Sequence, residues 1–530
     1  MKTYSSDLEA LAQSGMSAYL QGDVSGAVEL FQAAAYQGHA DAQTRLGFLY
    51  ETGDGVPQDY SQSAFWYEKA AQQGFLPAMT FLGVLHSQGK GVPVDHERSV
   101  LLQKFAAEEG YRAAQFNMGV MLFNGFPLER DYHLAASWLS KAAEQQHREA
   151  QTLLGKIHAC GALGEADHEE AARWFSLAAE ADEAEAEYLL GRMYLIGQGV
   201  VQNETAGLEL VLKSAASGYP VAQHDVGLMY LNGMFVERDP KTAVVYFGLA
   251  SEQNFIDSHI DLGHCFENGL GVEQDYGLAV ALFNKAADQG SERGLFSLGT
   301  MYQNGLGVPV DYDRALGLYM RAAALGDRSA EFNLGVMHNF GLGVPVSHKE
   351  AAVWYEKAAL RGHVKAQFNL SIILLHDHEG MHQDLEKSAQ WMKSSGMLES
   401  GHAQYLTGAA YQSGKGVEVD LEAAARWYLQ AAEKQHGGAQ FQIATMFAEG
   451  IGVEADWVNA YFWFSLANLN LAHAFPEFAL KALESKEMVS KYVEREKIAE
   501  IDDDVGRIWA QATQFPAGFA SRLSEETRPS

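Results

Sequence analysis

The sequence of 530 residues contains only two cysteines, Cys160 and Cys265, and no Cys-x-x-Cys motif. A disulfide framework needs more cysteines, so this composition is typical of a reducing compartment. Long apolar runs are also missing, and the longest unbroken one is Leu278–Phe283. A membrane span needs about 18 apolar residues, and the amino terminus lacks the apolar core of a secretory signal. The sequence therefore predicts no membrane insertion and a cytoplasmic location, with export without a classical signal as the alternative.

Basic residues are few. The chain has 38 lysines and arginines against 68 aspartates and glutamates, a formal net charge of −30. A surface this acidic repels phosphate backbones and anionic lipids. We therefore expect no nucleic-acid partner. A basic protein segment would be attracted, although acidity also serves solubility.

Glycine recurs with a fixed period. Nine glycines follow one another at intervals of 36 residues, and the series continues with Ser371, Gly408 after one inserted residue, and Ala444, which gives twelve units. Such repetition indicates stacked helical units, none of which buries its apolar face alone. The nine are Gly47, Gly83, Gly119, Gly155, Gly191, Gly227, Gly263, Gly299 and Gly335.

Each unit is interpreted as a helix, a glycine-rich turn and a second helix. Ala42, Leu46 and Tyr50 form an apolar stripe of helical spacing, and the small Gly47 leaves room for a neighbouring helix. A Gly-x-Gly-Val turn, which occurs eight times, ends the first helix. A column of preferred N-cap residues then starts the second helix. Its members are Asp59, Asp95, Asp131, Asp167, Asn203, Asp239, Asp275, Asp311, Ser347, Asp384, Asp420 and Asp456.

Two further columns describe the second helix. A small residue stands four positions after the N-cap, as at Ser63 and Ala135, and predicts close helix contact. A large apolar residue follows three positions later. Seven of the nine tryptophans fall in that column, so we interpret them as core residues and not as a ligand-stacking site. The seven are Trp66, Trp138, Trp174, Trp354, Trp391, Trp427 and Trp463.

The ends of the chain differ from the array. Residues 7–38 echo the pattern with a shortened turn, and the register is lost after His473. We therefore divide the chain into an amino-terminal cap with a shortened first repeat at 1–41, an array of twelve repeats at 42–474, and capping helices with a tail at 475–530. Terminal units of repeat arrays are atypical because they must cover an open apolar face.

The motifs in 266–290 and 340–362 resemble the Sel-one-like repeat family, which is related to the tetratricopeptide repeat. The resemblance covers about 42–474. It implies an all-α, right-handed α-solenoid superhelix of about twelve 36-residue helix-turn-helix repeats plus end caps, with a concave surface lined by first helices. It also implies an adaptor or scaffold role in signalling, envelope biology or host contact. Some secreted members carry one disulfide per repeat, which this chain lacks.

The resemblance also indicates where a partner would bind. The residue before each Leu-Gly varies from repeat to repeat, and we call this position the variable column. Related repeats use asparagine here to hold peptide backbone, and an asparagine side chain both donates and accepts. The alternative is an ordinary solvated face. A second asparagine column, at Asn124, Asn232, Asn268 and Asn304, predicts helix termination instead. The candidate partner-binding residues are Arg45, Asn117, Asp225, Asp261, Asn333, Asn369 and Gln442.

No motif for a catalytic nucleophile, zinc hydrolysis or nucleotide binding occurs. The tenth unit replaces its turn with a stretch that holds His376, His378 and His382. Their spacing matches no standard metal site, so we predict neither metal nor cofactor. The sequence favours a non-enzymatic adaptor that binds a protein or peptide. A hydrolase-like or metal-assisted activity and a purely structural spacer remain the alternatives.

Overall fold

The computed structural model of the chain describes residues 6–375, 378, 384–396, 401–415, 417–472 and 474–513. These residues form 28 α-helices and a short 3-10 helix at Ser490–Tyr492. The α-helices, numbered α1 to α28 in chain order, are Ser6–Leu20, Val24–Tyr36, Ala40–Thr52, Tyr60–Ala71, Leu76–Gln88, His96–Glu108, Arg112–Asn124, Tyr132–Glu144, Arg148–Ala159, His168–Ala179, Ala184–Ile196, Glu204–Ala216, Pro220–Asn232, Pro240–Glu252, Ile256–Asn268, Tyr276–Asp288, Glu292–Asn304, Tyr312–Ala324, Arg328–Phe340, His348–Leu360, Val364–Leu375, Leu385–Gly396, Gly401–Ser413, Leu421–Glu433, Gly437–Glu449, Trp457–Leu471, Pro476–Val489 and Arg495–Thr513.

The helices follow the predicted repeat. Odd-numbered helices from α3 to α25 are first helices, and even-numbered helices from α4 to α26 are second helices. The chain divides into two compact units, unit 1 with residues 1–258 and 270–272, and unit 2 with residues 259–269 and 273–530. Within each unit a helix packs chiefly against the helices directly before and after it. The all-α solenoid predicted from the sequence is confirmed.

The predicted helix boundaries are also confirmed. All twelve residues of the N-cap column accept a hydrogen bond from a backbone amide in the first turn of their second helix. First helices commonly end at a left-handed glycine, as at Gly53, where φ is 76°, and Gly305, where φ is 67°. Asn232 and Asn304 are the last helical residues before such a glycine. This second asparagine column therefore marks helix ends, as expected.

A close contact in each repeat with a first-helix glycine joins that glycine to a large side chain of the second helix. A Cβ added at Gly335 would lie 2.4 Å from Cδ1 of Tyr355, and one at Gly155 would lie 2.5 Å from Cε1 of Phe175. The contacting column lies one residue beyond the tryptophan column and is fully buried. Its members are Tyr67, Gln103, Leu139, Phe175, Val211, Phe247, Phe283, Tyr319, Tyr355, Met392, Tyr428 and Phe464.

The tryptophans themselves lie at the edge of the core. Trp66 is buried, but Trp138 and Trp354 are only half-buried. A lysine ammonium lies over the ring in both, at 4.1 Å for Lys141 and 3.8 Å for Lys357. A ring in this position contributes apolar area on one face and a cation–π contact on the other. The tryptophan column therefore has a structural role, but the centre of the repeat is filled by the fully buried column one residue later.

A buried glutamine column, which we did not predict, ties successive repeats together. In six repeats this side chain donates to the carbonyl of an alanine eight residues earlier, at 3.0–3.2 Å. That alanine lies at the end of the preceding second helix, where carbonyls lack helical partners. Four of the glutamines also accept, at 2.8 Å, from an amide 30 residues later. The six donors are Gln43, Gln115, Gln151, Gln223, Gln367 and Gln440.

Beyond the last repeat, α27 and α28 follow the second helix α26. Val489, Ile501 and Val505 form one buried cluster with Tyr461 and Phe464 of α26. The apolar side of the final repeat is thereby covered, which is the role expected of capping helices. Among the helices of the described part, none has the length and apolar character needed to cross a bilayer.

Replacing Gly335 by alanine tests the packing role of the glycine column. Gly335→Ala sets a methyl group against the Tyr355 ring, so we expect a loss of roughly 1–3 kcal/mol in the free energy of unfolding. Gly317→Ala is the matched control, because Gly317 lies inside α18 and its added Cβ meets nothing within 4 Å. That control should gain about 0.5–1 kcal/mol. Urea unfolding measures both, and equal midpoints would contradict the packing role.

Histidine caps four first helices. His39, His147, His363 and His436 each accept a backbone amide hydrogen bond at Nδ1. Neutral His436 therefore carries its proton on Nε2, which lies 3.1 Å from Nδ1 of His402 and donates to it. Burial, followed by the charge of His402, lowers the pKa of His436 to about 4. Protonation at either acceptor nitrogen breaks a hydrogen bond.

The stability of unit 2 should consequently depend on pH. Unfolded His436 binds a proton near pH 6.5, whereas folded His436 does so only near pH 4. The contribution of His436 to the free energy of unfolding is complete above pH 6.5 and is lost as the pH falls toward 4. His436→Ser keeps a capping oxygen, as Ser291 provides for α17, without titrating. We expect the thermal midpoint of this variant to fall less than that of wild type between neutral pH and pH 5; parallel curves would show that His436 does not titrate as described.

Candidate partner-binding surface

The candidate residues of the variable column lie where first helices face their neighbours. Arg45, Asn117, Asp225, Asp261, Asn333, Asn369 and Gln442 are all half-buried. We define the first-helix surface of each unit by two sets of side chains. The first set is the variable column, and the second consists of the residues directly after the repeat glycines. Variation along this column therefore occurs in partly enclosed side chains, most of which contact an adjacent helix.

Asp225 is the most strongly engaged of these residues in unit 1. Its Oδ2 accepts from the Tyr188 hydroxyl at 2.6 Å and from Nη1 of Arg192 at 2.7 Å, both on the preceding first helix. Burial opposes ionisation of this carboxyl, but hydrogen bonds from His224, Tyr188 and Arg192 outweigh it and lower the pKa of Asp225. Asp225 is therefore held as an anion by its own neighbours.

Arg45 lies at the edge of a cavity of about 320 Å³ in unit 1. Its Nε donates to Asp41 one turn earlier at 2.7 Å, and its Nη1 lies 3.1 Å from the Met16 sulfur. Aromatic rings, among them Phe48 and Phe81, form much of the remaining wall. The guanidinium of Arg45 thus lies beside an apolar cavity that is large enough to hold a side chain.

The asparagines of the variable column meet the fully buried column of the preceding second helix. In unit 1, Nδ2 of Asn117 donates to Oε1 of Gln103 at 3.2 Å. In unit 2, burial raises the pKa of Tyr355 to about 12, and the side chain of Asn369, which lies near the hydroxyl, opposes the rise. Asn333 lies similarly near the hydroxyl of Tyr319, which bonds to Thr300 and Gln303. The asparagines are thus positioned by the core of the repeat before them.

Charged pairs link successive first helices, and sequence reasoning missed the basic members. Lys156 bonds to Glu185 and Arg192 to Asp225 in unit 1, and Arg293 lies 3.1 Å from Asp261 in unit 2. A signal was available, because Lys156 and Arg192 directly follow a repeat glycine exactly one period apart. Of the predicted residues, Asp225 and Asp261 are therefore ion-paired within the protein.

A larger cavity, of about 510 Å³, lies beside these pairs in unit 1. Buried Phe175 and Met193 form its floor, and Leu189 of the variable column adds to the wall. Lys156 and Arg192 contribute the charged part of the lining. Cavities of this volume are typical of ligand-binding clefts in proteins.

The histidine-rich stretch of the tenth unit is only partly within the described residues. His376 and His382 lie outside them. The ring of His378 lies 4.1 Å, centroid to centroid, from that of His348 at the start of α20. Within the described part of the chain, no three histidine, cysteine, aspartate or glutamate side chains come together as metal ligands.

Comparison with known families assigns the chain. The Sel1 repeat matches thirteen consecutive segments, from residues 9–39 to residues 438–469. The chain therefore belongs to the Sel1 repeat family, and the resemblance inferred from its motifs is confirmed. Proteins built from this repeat generally act as protein-interaction scaffolds and are generally non-catalytic. The first matched segment, 9–39, is the shortened unit at the amino terminus.

The chain is similar to two solved structures. The protective antigen c5321 of uropathogenic Escherichia coli strains, which displays an SLR fold, is 27% identical, with 92% of this chain and 97% of that chain covered and a TM-score of 0.63. A Sel1 repeat protein from Oxalobacter formigenes is 26% identical, with 46% of this chain and 99% of that chain covered and a TM-score of 0.44. No curated protein matches the sequence significantly.

A double-mutant cycle tests the Tyr188–Asp225 bond. Hydrogen bonds to a charged group contribute about 1.5–3 kcal/mol, so Tyr188→Phe and Asp225→Asn should show a coupling free energy of about 1 kcal/mol or more in urea unfolding. Tyr67→Phe is the control, because its hydroxyl donates to Glu51 in a distant repeat of unit 1, and its effect should add to that of Asp225→Asn. Additive effects of Tyr188→Phe would mean that the bond contributes nothing.

Proposed function

We propose that this protein is a non-enzymatic adaptor that binds a protein partner, or an extended segment of one, along its first-helix surface. The observation that carries the proposal is the matched pair Asn333 and Asn369. They occupy the same column on α19 and α21, successive first helices of unit 2, and both are half-buried.

The chemistry of the pair suits an extended chain. A primary amide both donates and accepts, so it can satisfy a backbone N–H and a backbone C=O of a bound segment together. Contact with Tyr319 and Tyr355 limits the freedom of the two amides before binding. Ordering that is already present in the free protein reduces the entropic cost of association.

Net charge and cysteine content support a kind of partner and a location for this function. A net charge of −30 supports a basic partner for the protein as a whole. Cys160 is exposed and unpaired, and Cys265 is buried and unpaired, which supports the cytoplasm as the location. The likeness to a protective antigen of uropathogenic Escherichia coli supports host contact or the cell envelope, alongside signalling, as the biology to examine first.

Changing the asparagine pair tests the proposal. The full chain captures its partner from the native cell, mass spectrometry identifies it, and the purified pair gives a dissociation constant. Asn333→Ala with Asn369→Ala removes both amides, and we expect binding to weaken by roughly ten-fold or more, since each lost buried hydrogen bond costs about 0.5–1.5 kcal/mol. Asn459→Ala, an exposed asparagine on second helix α26, is the control. If the double variant binds as tightly as this control, the first-helix surface of unit 2 is not the binding site.

A further inference from the structure

Two cations stand directly after repeat glycines on the first-helix surface of unit 1, in a chain with a large surplus of acid. Lys156 of α9 and Arg192 of α11 follow the repeat glycines of adjacent repeats. The other repeats of unit 1 carry only apolar residues at this position, and these are Phe48, Val84, Val120 and Leu228. Positive charge at this position is thus confined to the two repeats that line the 510 Å³ cavity.

The cations lie further out than the acids that pair with them. The Arg192 side chain is 49% exposed and that of Asp225 only 19%, while the Lys156 side chain is 38% exposed and that of Glu185 31%. Asp225 is thus much more enclosed than Arg192, whereas Lys156 and Glu185 are exposed to a similar degree. The pairing holds both cations in place and leaves part of each side chain exposed.

Arg192 also keeps donors for a ligand. Its bonds to the Tyr188 hydroxyl and to Asp225 both use Nη1. Within the described residues, Nε and Nη2 form no hydrogen bond. An arginine presents its donors as a rigid planar fork that matches a carboxylate. The guanidinium can therefore donate hydrogen bonds from Nε and Nη2 to a carboxylate of a ligand and keep its bonds to Tyr188 and Asp225.

The cavity next to the cations is apolar. Phe175 and Met193 are 2% and 6% exposed, and Leu189 and Ile196 complete this part of the lining. An apolar side chain of a ligand that enters this cavity is removed from water. That transfer contributes about 25 cal/mol to the free energy of binding for each Å² of apolar area buried. The cavity therefore favours a ligand that has both a negatively charged group, for the cations, and an apolar side chain, for the apolar lining.

We propose that the cavity binds an acidic, apolar segment of a partner protein, with a carboxylate on Arg192 and an aliphatic or aromatic side chain on Phe175 and Met193. The partner of the whole chain can still be basic overall, because the described residues that line this cavity include two cations and no carboxylate. The inference rests on the proposed function, since it takes a protein segment as the occupant of the first-helix surface. It adds the chemistry of that segment.

Labelled peptides test the proposal directly. A pool of fluorescent octapeptides composed of Glu, Leu and Phe is compared with a pool in which Gln replaces Glu and one in which Lys replaces Glu. Fluorescence anisotropy with the full chain, at a salt concentration that screens long-range repulsion to about 8 Å, should show binding of the Glu pool at least three-fold tighter than that of the Gln pool. Equal or tighter binding of the Gln or Lys pool would overturn the proposal.

Variants at one exposed position assign the binding to the cavity. Ile196 is 58% exposed, so changes there should leave the fold intact. Ile196→Glu should weaken binding of the Glu pool roughly three- to ten-fold relative to Ile196→Gln, because the new carboxylate repels the ligand. Arg192→Gln should weaken it similarly, whereas Arg173→Gln, on second helix α10, should not. Identical affinities for Ile196→Glu and Ile196→Gln would also overturn the proposal.

The outcome is separable from that of the proposed function. If the captured partner depends on Asn333 and Asn369 while the peptide pools show no acidic preference, the adaptor function stands and the assignment of the unit 1 cavity fails. If the pools bind as expected but no partner depends on the asparagine pair, the assignment of the unit 2 surface fails instead.

Discussion

The contact between a helical glycine and a large buried side chain sets the spacing of the helix pair in most repeats. At Gly335 there is room for the Tyr355 ring only because the glycine has no Cβ. Glycine in a helix costs about 1 kcal/mol relative to alanine, and ten first helices have glycine at this position. The gain is close packing of the two helices, with a fully buried side chain between them. The small residues four positions after the N-cap, such as Ser63 and Ala135, serve the same close approach, because their backbone lies against the glycine.

The framework of the fold could be predicted because its determinants are local and recur. An aspartate that caps a helix, or a glycine that ends one, acts within a few residues of itself. Repetition then makes a weak signal strong, since Asp59 is one of twelve residues in the same role. The centre of the repeat was harder to predict: Trp66 and Tyr67 are neighbours, both large, and only packing shows that the second of them meets the glycine.

The candidate surface was less predictable, because its side chains are placed by long-range contacts. Variation identified the column of Asp225 and Asp261, but not that arginines from neighbouring helices hold both. Lys156 and Arg192 were overlooked because a single lysine or arginine in the sequence is typical of any exposed surface, and only the stacked repeats bring them beside Glu185 and Asp225. The glutamine column was visible as a recurring Ala-Gln pair, as at Ala42 and Gln43. Its bond to the preceding helix required the fold.

The glutamine bonds have a consequence for how such a chain changes over generations. The donor, such as Gln115, and its acceptor, such as the carbonyl of Ala107, occupy fixed positions that return in later repeats. When a period that carries this glutamine is duplicated, the glutamine of the copy still meets the end of the helix before it. The number of repeats can therefore increase by recombination of the gene without any redesign of the joints.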